Sequence, residues 1–142
     1  MYDQVKQRVP ETLGDADRHY LEMAVELSRS YRDDQRRWPF GAIVVVAGTM
    51  AGQGVNQVVE LNDPTAHAET MALRAACTTR RSHLLEDGVL YSSSEPCPMC
   101  LAACCWACIP RIVYAATSLA ASFSWNCGSN WRSLMALLFI WK

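Results

Sequence analysis

Apolar residues recur along this chain at two periods, and the switches between them mark the elements. Over 15–34 the period is helical. Leu21, Ala24, Val25, Ser28 and Tyr31 fall at i, i+3, i+4 spacing and make one buried stripe. Asp15 and Asp17 stand at its start, where carboxylates favour the helix dipole. Asp33-Asp34 and then Trp38-Pro39 end it, since a residue before proline resists the helical region. Residues 41–47 are a β-branched run bounded by glycine, hence a buried strand. Gly48-Thr49 turns it, and 50–55, weakened by its glycines, completes a hairpin. Asn56 falls at the end of that strand, in a position to face a site rather than a core.

Residues 61–64 read as a loop. The spacing then predicts a helix over 65–79, rich in Ala, Met and Leu, with Asp63 or Thr65 as cap and Pro64 in its first turn. Arg80-Arg81 make a solvated, dipole-compatible end. Gly88 opens a strand over 89–92, a helix follows over 97–108 until Pro110 stops it, and 111–115 is another strand. Strands joined by single crossover helices run parallel, whereas a hairpin is antiparallel. The expected fold is therefore α/β, a mixed sheet covered by helices. Residues 1–142 read as one domain. Its end is atypical: 118–142 holds no acidic residue, only Arg132 and Lys142 as cations, and an apolar run over 134–141 without a polar face. That run is expected to be buried against a partner chain or poorly ordered.

Composition narrows the function. Net charge is −1, which leans towards a small-molecule substrate, because nucleic-acid binders more often carry a basic excess. Residues 1–10 are polar and charged, unlike a signal peptide, and no apolar run approaches the roughly 20 residues of a membrane helix. A cytoplasmic protein without a membrane segment is expected. In that setting, the 7 cysteines point to metal or catalysis rather than to a disulfide framework.

Two stretches carry the chemistry. Ser94-Glu95-Pro96-Cys97-Pro98-Met99-Cys100 places two cysteines three residues apart at a helix start. There they share one face and meet unpaired N–H groups that favour thiolate. Upstream, Asp63-Pro64-Thr65-Ala66-His67-Ala68-Glu69 supplies a histidine and, two residues on, a carboxylate. Together they form the H-x-E…P-C-x-x-C pattern of zinc deaminases of nucleobases. Two thiolates and one imidazole, Cys97, Cys100 and His67, leave the fourth tetrahedral position of one Zn²⁺ per chain open for water. Zinc brings the pKa of that water to about 7, giving hydroxide as nucleophile. Glu69 is then the proton shuttle. His67 and Glu69 are two residues apart and would diverge on a regular helix. Both reach one metal only if His67 opens the helix and the metal lies beyond its end. An iron–sulfur reading of Cys97, Cys100 and Cys104 lacks a fourth ligand and leaves His67 and Glu69 unexplained. Cys77, Cys104, Cys105, Cys108 and Cys127 are expected to pack in the core.

Over 39–114 the chain resembles the cytidine-deaminase-like zinc deaminase superfamily, on the branch of bacterial guanine deaminases and tRNA adenosine deaminases. The matching motifs are Pro39-Phe40-Gly41-Ala42, Gly54-Val55-Asn56, the stretch from Asn62 to Glu69, and Glu95-Pro96-Cys97-Pro98-Met99-Cys100. The resemblance implies a three-layer α/β/α sandwich with a mixed five-stranded sheet, and a homodimer. It also implies His67, Cys97 and Cys100 as zinc ligands and Glu69 as shuttle. Asn56, Phe40, Ala68 and Trp106 would be substrate contacts. Phe40, Pro98 and Trp106 lie on the guanine side of the branch. This favours a free purine, guanine to xanthine, over tRNA adenosine or another nucleoside or pyrimidine. The guanine side usually continues with a Phe-Asp-Asp or Phe-Glu-Asp segment; here Phe123-Ser124-Trp125 stands, and no acidic residue follows Glu95.

Overall fold

A computed structural model describes residues 13–31, 33 and 36–117. The expectations placed on 118–142, including Cys127, lie outside these residues. The elements are α1 (Asp15–Arg29), β1 (Gly41–Val46), β2 (Thr49–Val55), α2 (Val58–Leu61), α3 (Ala68–Arg80), β3 (Gly88–Ser92), α4 (Pro98–Trp106) and β4 (Arg111–Tyr114).

All six residues of β1 are buried. A strand buried at every position must be central and covered on both faces. It is: the sheet order is β2-β1-β3-β4. β1 is antiparallel to both neighbours, and β3 pairs parallel with β4. The crossover rule therefore holds for β2 and β3, which run the same way with β1 between them. Alternate residues of β1 feed two cores. Ala42, Val44 and Val46, with Leu90 of β3, pack with Ala68, Ala72, Leu73 and Ala76 of α3. Ile43 and Val45, with Tyr91, pack with Ala24 of α1. The result is the three-layer α/β/α arrangement with a mixed sheet. Four strands are found among the described residues, against the five that the resemblance implies.

Local boundaries differ where side-chain chemistry overrides periodicity. The hairpin turn is Ala47-Gly48, both at positive φ, one residue earlier than expected. α1 ends at Arg29. A short helix, α2, occupies Val58–Leu61, reaching the first residue of the 61–64 segment read as a loop, and ends on Asn62 in the left-handed region. The main correction concerns α3, which begins at Ala68 rather than Thr65. Asp63 does not cap it. Its Oδ1 instead accepts from the Thr65 backbone N–H at 2.8 Å and the Thr65 hydroxyl at 2.7 Å, closing a separate turn.

The glycines of β2 are positional. A Cβ at Gly52 would stand 2.5 Å from both the Ala72 carbonyl oxygen and the Ala76 nitrogen. A Cβ at Gly54 would stand 2.5 Å from the Ala72 nitrogen. Two glycines facing Ala68, Ala72 and Ala76 let the backbone of α3 settle directly on the strand. That contact fixes the axis of α3 and hence the position of its first residues.

Candidate functional site

Two helix N-termini converge at one end of the sheet. His67 is the N-cap of α3 and Cys97 the N-cap of α4, each with an extended backbone, φ −69° and ψ 155° for one, φ −71° and ψ 167° for the other. Their carbonyls accept the first helical bonds, from Met71 and Leu101, both at 2.9 Å. Their side chains are thus released in front of the helices rather than along them. Pro98 occupies the first position of α4, where a missing N–H leaves nothing unpaired. Cys100, one turn in, turns back to the same point.

The loops before these caps are tied down. The Gln57 N–H donates to the Ala66 carbonyl at 2.9 Å, and Arg74 donates to the Thr65 hydroxyl at 3.0 Å. On the other side the Ser93 N–H donates to the Gly41 carbonyl at 2.9 Å, while the Gly41 N–H donates to Ser93 Oγ at 3.1 Å. The Glu95 N–H donates to the Ala116 carbonyl at 2.8 Å.

The resulting cluster has the dimensions of a metal site. Cys97 Sγ lies 3.6 Å from His67 Nδ1 and 3.6 Å from Cys100 Sγ, and Cys100 Sγ lies 3.7 Å from His67 Nδ1. Zinc–sulfur bonds of about 2.3 Å and zinc–nitrogen bonds of about 2.0 Å at tetrahedral angles separate ligand atoms by about 3.5–3.8 Å. The residues fit the ion, and these three form a ligand-competent group. The donors are also electrostatically prepared. The Cys97 thiol is pulled down to about 4 by the Cys100 thiol beside it and then by the His67 ring. Cys100 is pushed up by its hydrogen bond with Cys97 and by burial. His67 is raised, first by its bond with Cys97. Metal binding takes thiolates and a neutral imidazole, so an incoming cation displaces protons from these groups.

Glu69, second residue of α3, is buried, at 7% exposure. Its Oε2 lies 3.5 Å from Cys100 Sγ, and its Oε1 accepts from the Ser92 hydroxyl at 3.2 Å. Burial raises its pKa. Thr70 Oγ1 stands 3.7 Å from Cys100 Sγ on the other side.

The sequence-selected substrate contacts divide. Asn56 is buried, immediately after β2. Its backbone N–H donates to the Phe40 carbonyl at 3.3 Å, so Asn56 and Phe40 are adjacent. Its Oδ1 accepts from the Val58 N–H at 3.2 Å, leaving the amide NH₂ as the side that can donate to a ligand. Ala68 is buried at the first position of α3, beside His67. Trp106 is not brought to this group: it ends α4, nine residues beyond Cys97, and is 83% exposed. Cys104 is buried as expected, but Cys105 and Cys108 are exposed. Cys105 sits on the outer face of α4, where a helix covering a sheet on one side turns away from the core, and Cys108 in the turn just beyond its end. Sequence reasoning missed Ser92 and Ser93, which a run of three serines between a strand and a cysteine motif could have flagged.

A mixed sheet with helices on both faces, carrying a His–Cys–Cys cluster at two converging helix N-termini, defines a zinc-binding α/β domain. The family model of the cytidine and deoxycytidylate deaminase zinc-binding region matches residues 15–116, and the chain belongs to that family. Guanine deaminase of Bacillus subtilis is 50% identical over 78 residues, 55% of this chain and 50% of that protein. A crystal structure of that enzyme superposes with a TM-score of 0.72, covering 78% of this chain and 69% of the other at 40% identity. The tRNA-specific adenosine deaminase of Agrobacterium fabrum is 39% identical over 98 residues, 69% of this chain and 64% of that protein. The chain thus spans between half and two thirds of the length of these two curated relatives.

Proposed function

We propose that this protein is a hydrolytic deaminase of a purine base, with guanine to xanthine as the favoured reaction. The observation that carries the reading is the placement of a buried carboxylate, Glu69, against a His67–Cys97–Cys100 group of zinc dimensions. Zinc, when bound, supplies the Lewis acidity that activates water as the nucleophile. The residues of the chain do the rest. Glu69 takes a proton from the attacking water, delivers it to a ring nitrogen of the base, and later returns a proton to the departing amine. Water and guanine thereby become xanthine and ammonia. Asn56 donates its amide hydrogens to an acceptor on the base, and Phe40 and Ala68 supply apolar surface beside it. Burial of Glu69, Asn56 and Ala68 excludes bulk water from the transfers.

The similarity to a guanine deaminase supports the free-base assignment, as does a chain of net charge −1. A second reading, adenosine deamination in tRNA, is favoured by the likeness to tRNA-specific enzymes over a larger share of the chain. The whole chain is read as one cytoplasmic domain that pairs with a second copy. No helix among the described residues is long and apolar enough to cross a membrane. The deciding experiment is ammonia release from guanine, adenine, their nucleosides and a tRNA anticodon stem-loop. Turnover of guanine alone upholds the reading; turnover confined to the stem-loop replaces it with the second.

A further inference from the structure

Ser92 ends β3 and Glu69 opens α3, yet they meet in the interior. Ser92 is 2% exposed and Glu69 7% exposed. The Ser92 hydroxyl donates to Glu69 Oε1 at 3.2 Å. The same Ser92 oxygen accepts from the Ser94 backbone N–H at 3.4 Å. A hydroxyl has a single hydrogen, and here a backbone donor already approaches one of its lone pairs. The hydrogen is thereby directed at the carboxylate. Oε1 is occupied, and Oε2 is the oxygen that faces Cys100 Sγ at 3.5 Å.

We propose that Ser92 is a positioning residue that holds Glu69 by Oε1 and dedicates Oε2 to proton transfer. The inference rests on the reading of Glu69 as the proton carrier. Its structural logic is that the two oxygens of a free carboxylate exchange by rotation about the terminal torsion, which is soft. The buried hydrogen bond at Oε1, alongside the Cys100 Sγ contact at Oε2 and the Glu69 backbone N–H, restricts that rotation and keeps the reactive oxygen at the metal end of the site. Ser94 extends the link, because it stands in the short segment that leads from β3 into Cys97. The carboxylate and the segment that carries Cys97 are therefore located by the same strand end, through Ser92 and Ser94 on either side of Ser93.

The test compares Ser92→Thr with Ser92→Val, which have nearly the same shape and differ in the hydroxyl. Zinc-loaded Ser92→Thr should retain most of kcat. Ser92→Val should lose kcat by about tenfold, the scale of one hydrogen bond to a charged group, with little change in KM and with zinc content unchanged. In a Glu69→Gln background, Ser92→Val should add no further loss. Crystal structures of both variants without metal give a readout apart from turnover. The Glu69 carboxylate should hold its place with threonine and leave it with valine. Equal kcat in the two variants, or an unmoved carboxylate in Ser92→Val, overturns the positioning role while an inactive Glu69→Gln leaves the proton-carrier reading standing. An active, zinc-replete Glu69→Gln overturns both.

Discussion

His67 and Cys97 are N-cap residues, and the functional consequence follows from that position alone. An N-cap side chain leaves the helix in front of its first turn, where backbone N–H groups are unpaired and the dipole is positive. Thiolate is favoured there, and the Cys97 thiol is lowered first by the Cys100 thiol, then by the His67 ring and by the backbone N–H of Cys100 in that first turn. Removing either sulfur should then remove the ion. Cys97→Ala and Cys100→Ala are expected to purify with little zinc by mass spectrometry and with reduced thermal stability. Full occupancy in both would contradict the ligand set. Glu69→Gln differs in kind, because a group that carries protons and does not bind metal should leave zinc content intact. Its kcat should fall by roughly 10²–10⁴, the range for a general acid–base group. Asn56→Ala should also keep zinc, but lower kcat/KM by about ten- to a hundredfold through loss of a buried hydrogen bond to the base. An Asn56→Ala enzyme with wild-type kcat/KM would remove Asn56 from the pocket.

The elements hold these residues in place, and here the sequence was partly legible. The long periodic helices, the β-branched strand and the hairpin could be read because one face of each is buried in register with its period. So could the demand that His67 open a helix, since two side chains at i and i+2 cannot otherwise share a target. The start of α3 at Ala68 was masked by Asp63, a residue suited to helix caps and equally to the local turn it actually closes with Thr65. Gly52 and Gly54 read as weakness in a strand, whereas their missing side chains are what α3 packs into. A Gly54→Val variant should therefore overpack the β2–α3 contact and cost on the order of 1–3 kcal/mol. Because α3 begins at the metal ligand, zinc affinity should fall with stability. Gln53→Val, on the exposed side of the same strand, is the control and should leave both nearly unchanged. Equal melting temperatures for the two variants would show that the glycines do not set the helix position.

At the scale of the whole molecule, one polar junction joins the first helix to the strands at the far end of the sheet. Asp17 of α1 accepts from the Tyr91 hydroxyl of β3 at 2.7 Å and from Arg111 Nη1 of β4 at 2.8 Å, with Nη2 completing a bidentate pair. These contacts span 74 and 94 positions, beyond what any local pattern reveals. The Arg111 guanidinium, more than the Tyr91 hydroxyl, holds the Asp17 carboxyl below its ordinary 3.8. A depressed carboxyl stabilises the fold fully above its unfolded pKa and stops doing so as pH falls through the folded one. The stability gap between wild type and Asp17→Asn should thus shrink as pH drops below about 4. Tyr91 works at the opposite end of the scale. Burial, with the Asp17 carboxylate beside it, pushes its hydroxyl up from 10.0 to about 12. A raised pKa favours the folded state while the group is protonated in both states. That contribution is complete below the unfolded value and lost as pH rises through the folded one. Wild type should therefore lose stability between about pH 10 and 12 faster than Tyr91→Phe, which has no proton to lose there. Melting temperatures of the two proteins across that window provide the check. Parallel curves would mean that Tyr91 ionises as easily in the folded chain as in the unfolded one, and that the junction does not hold its proton.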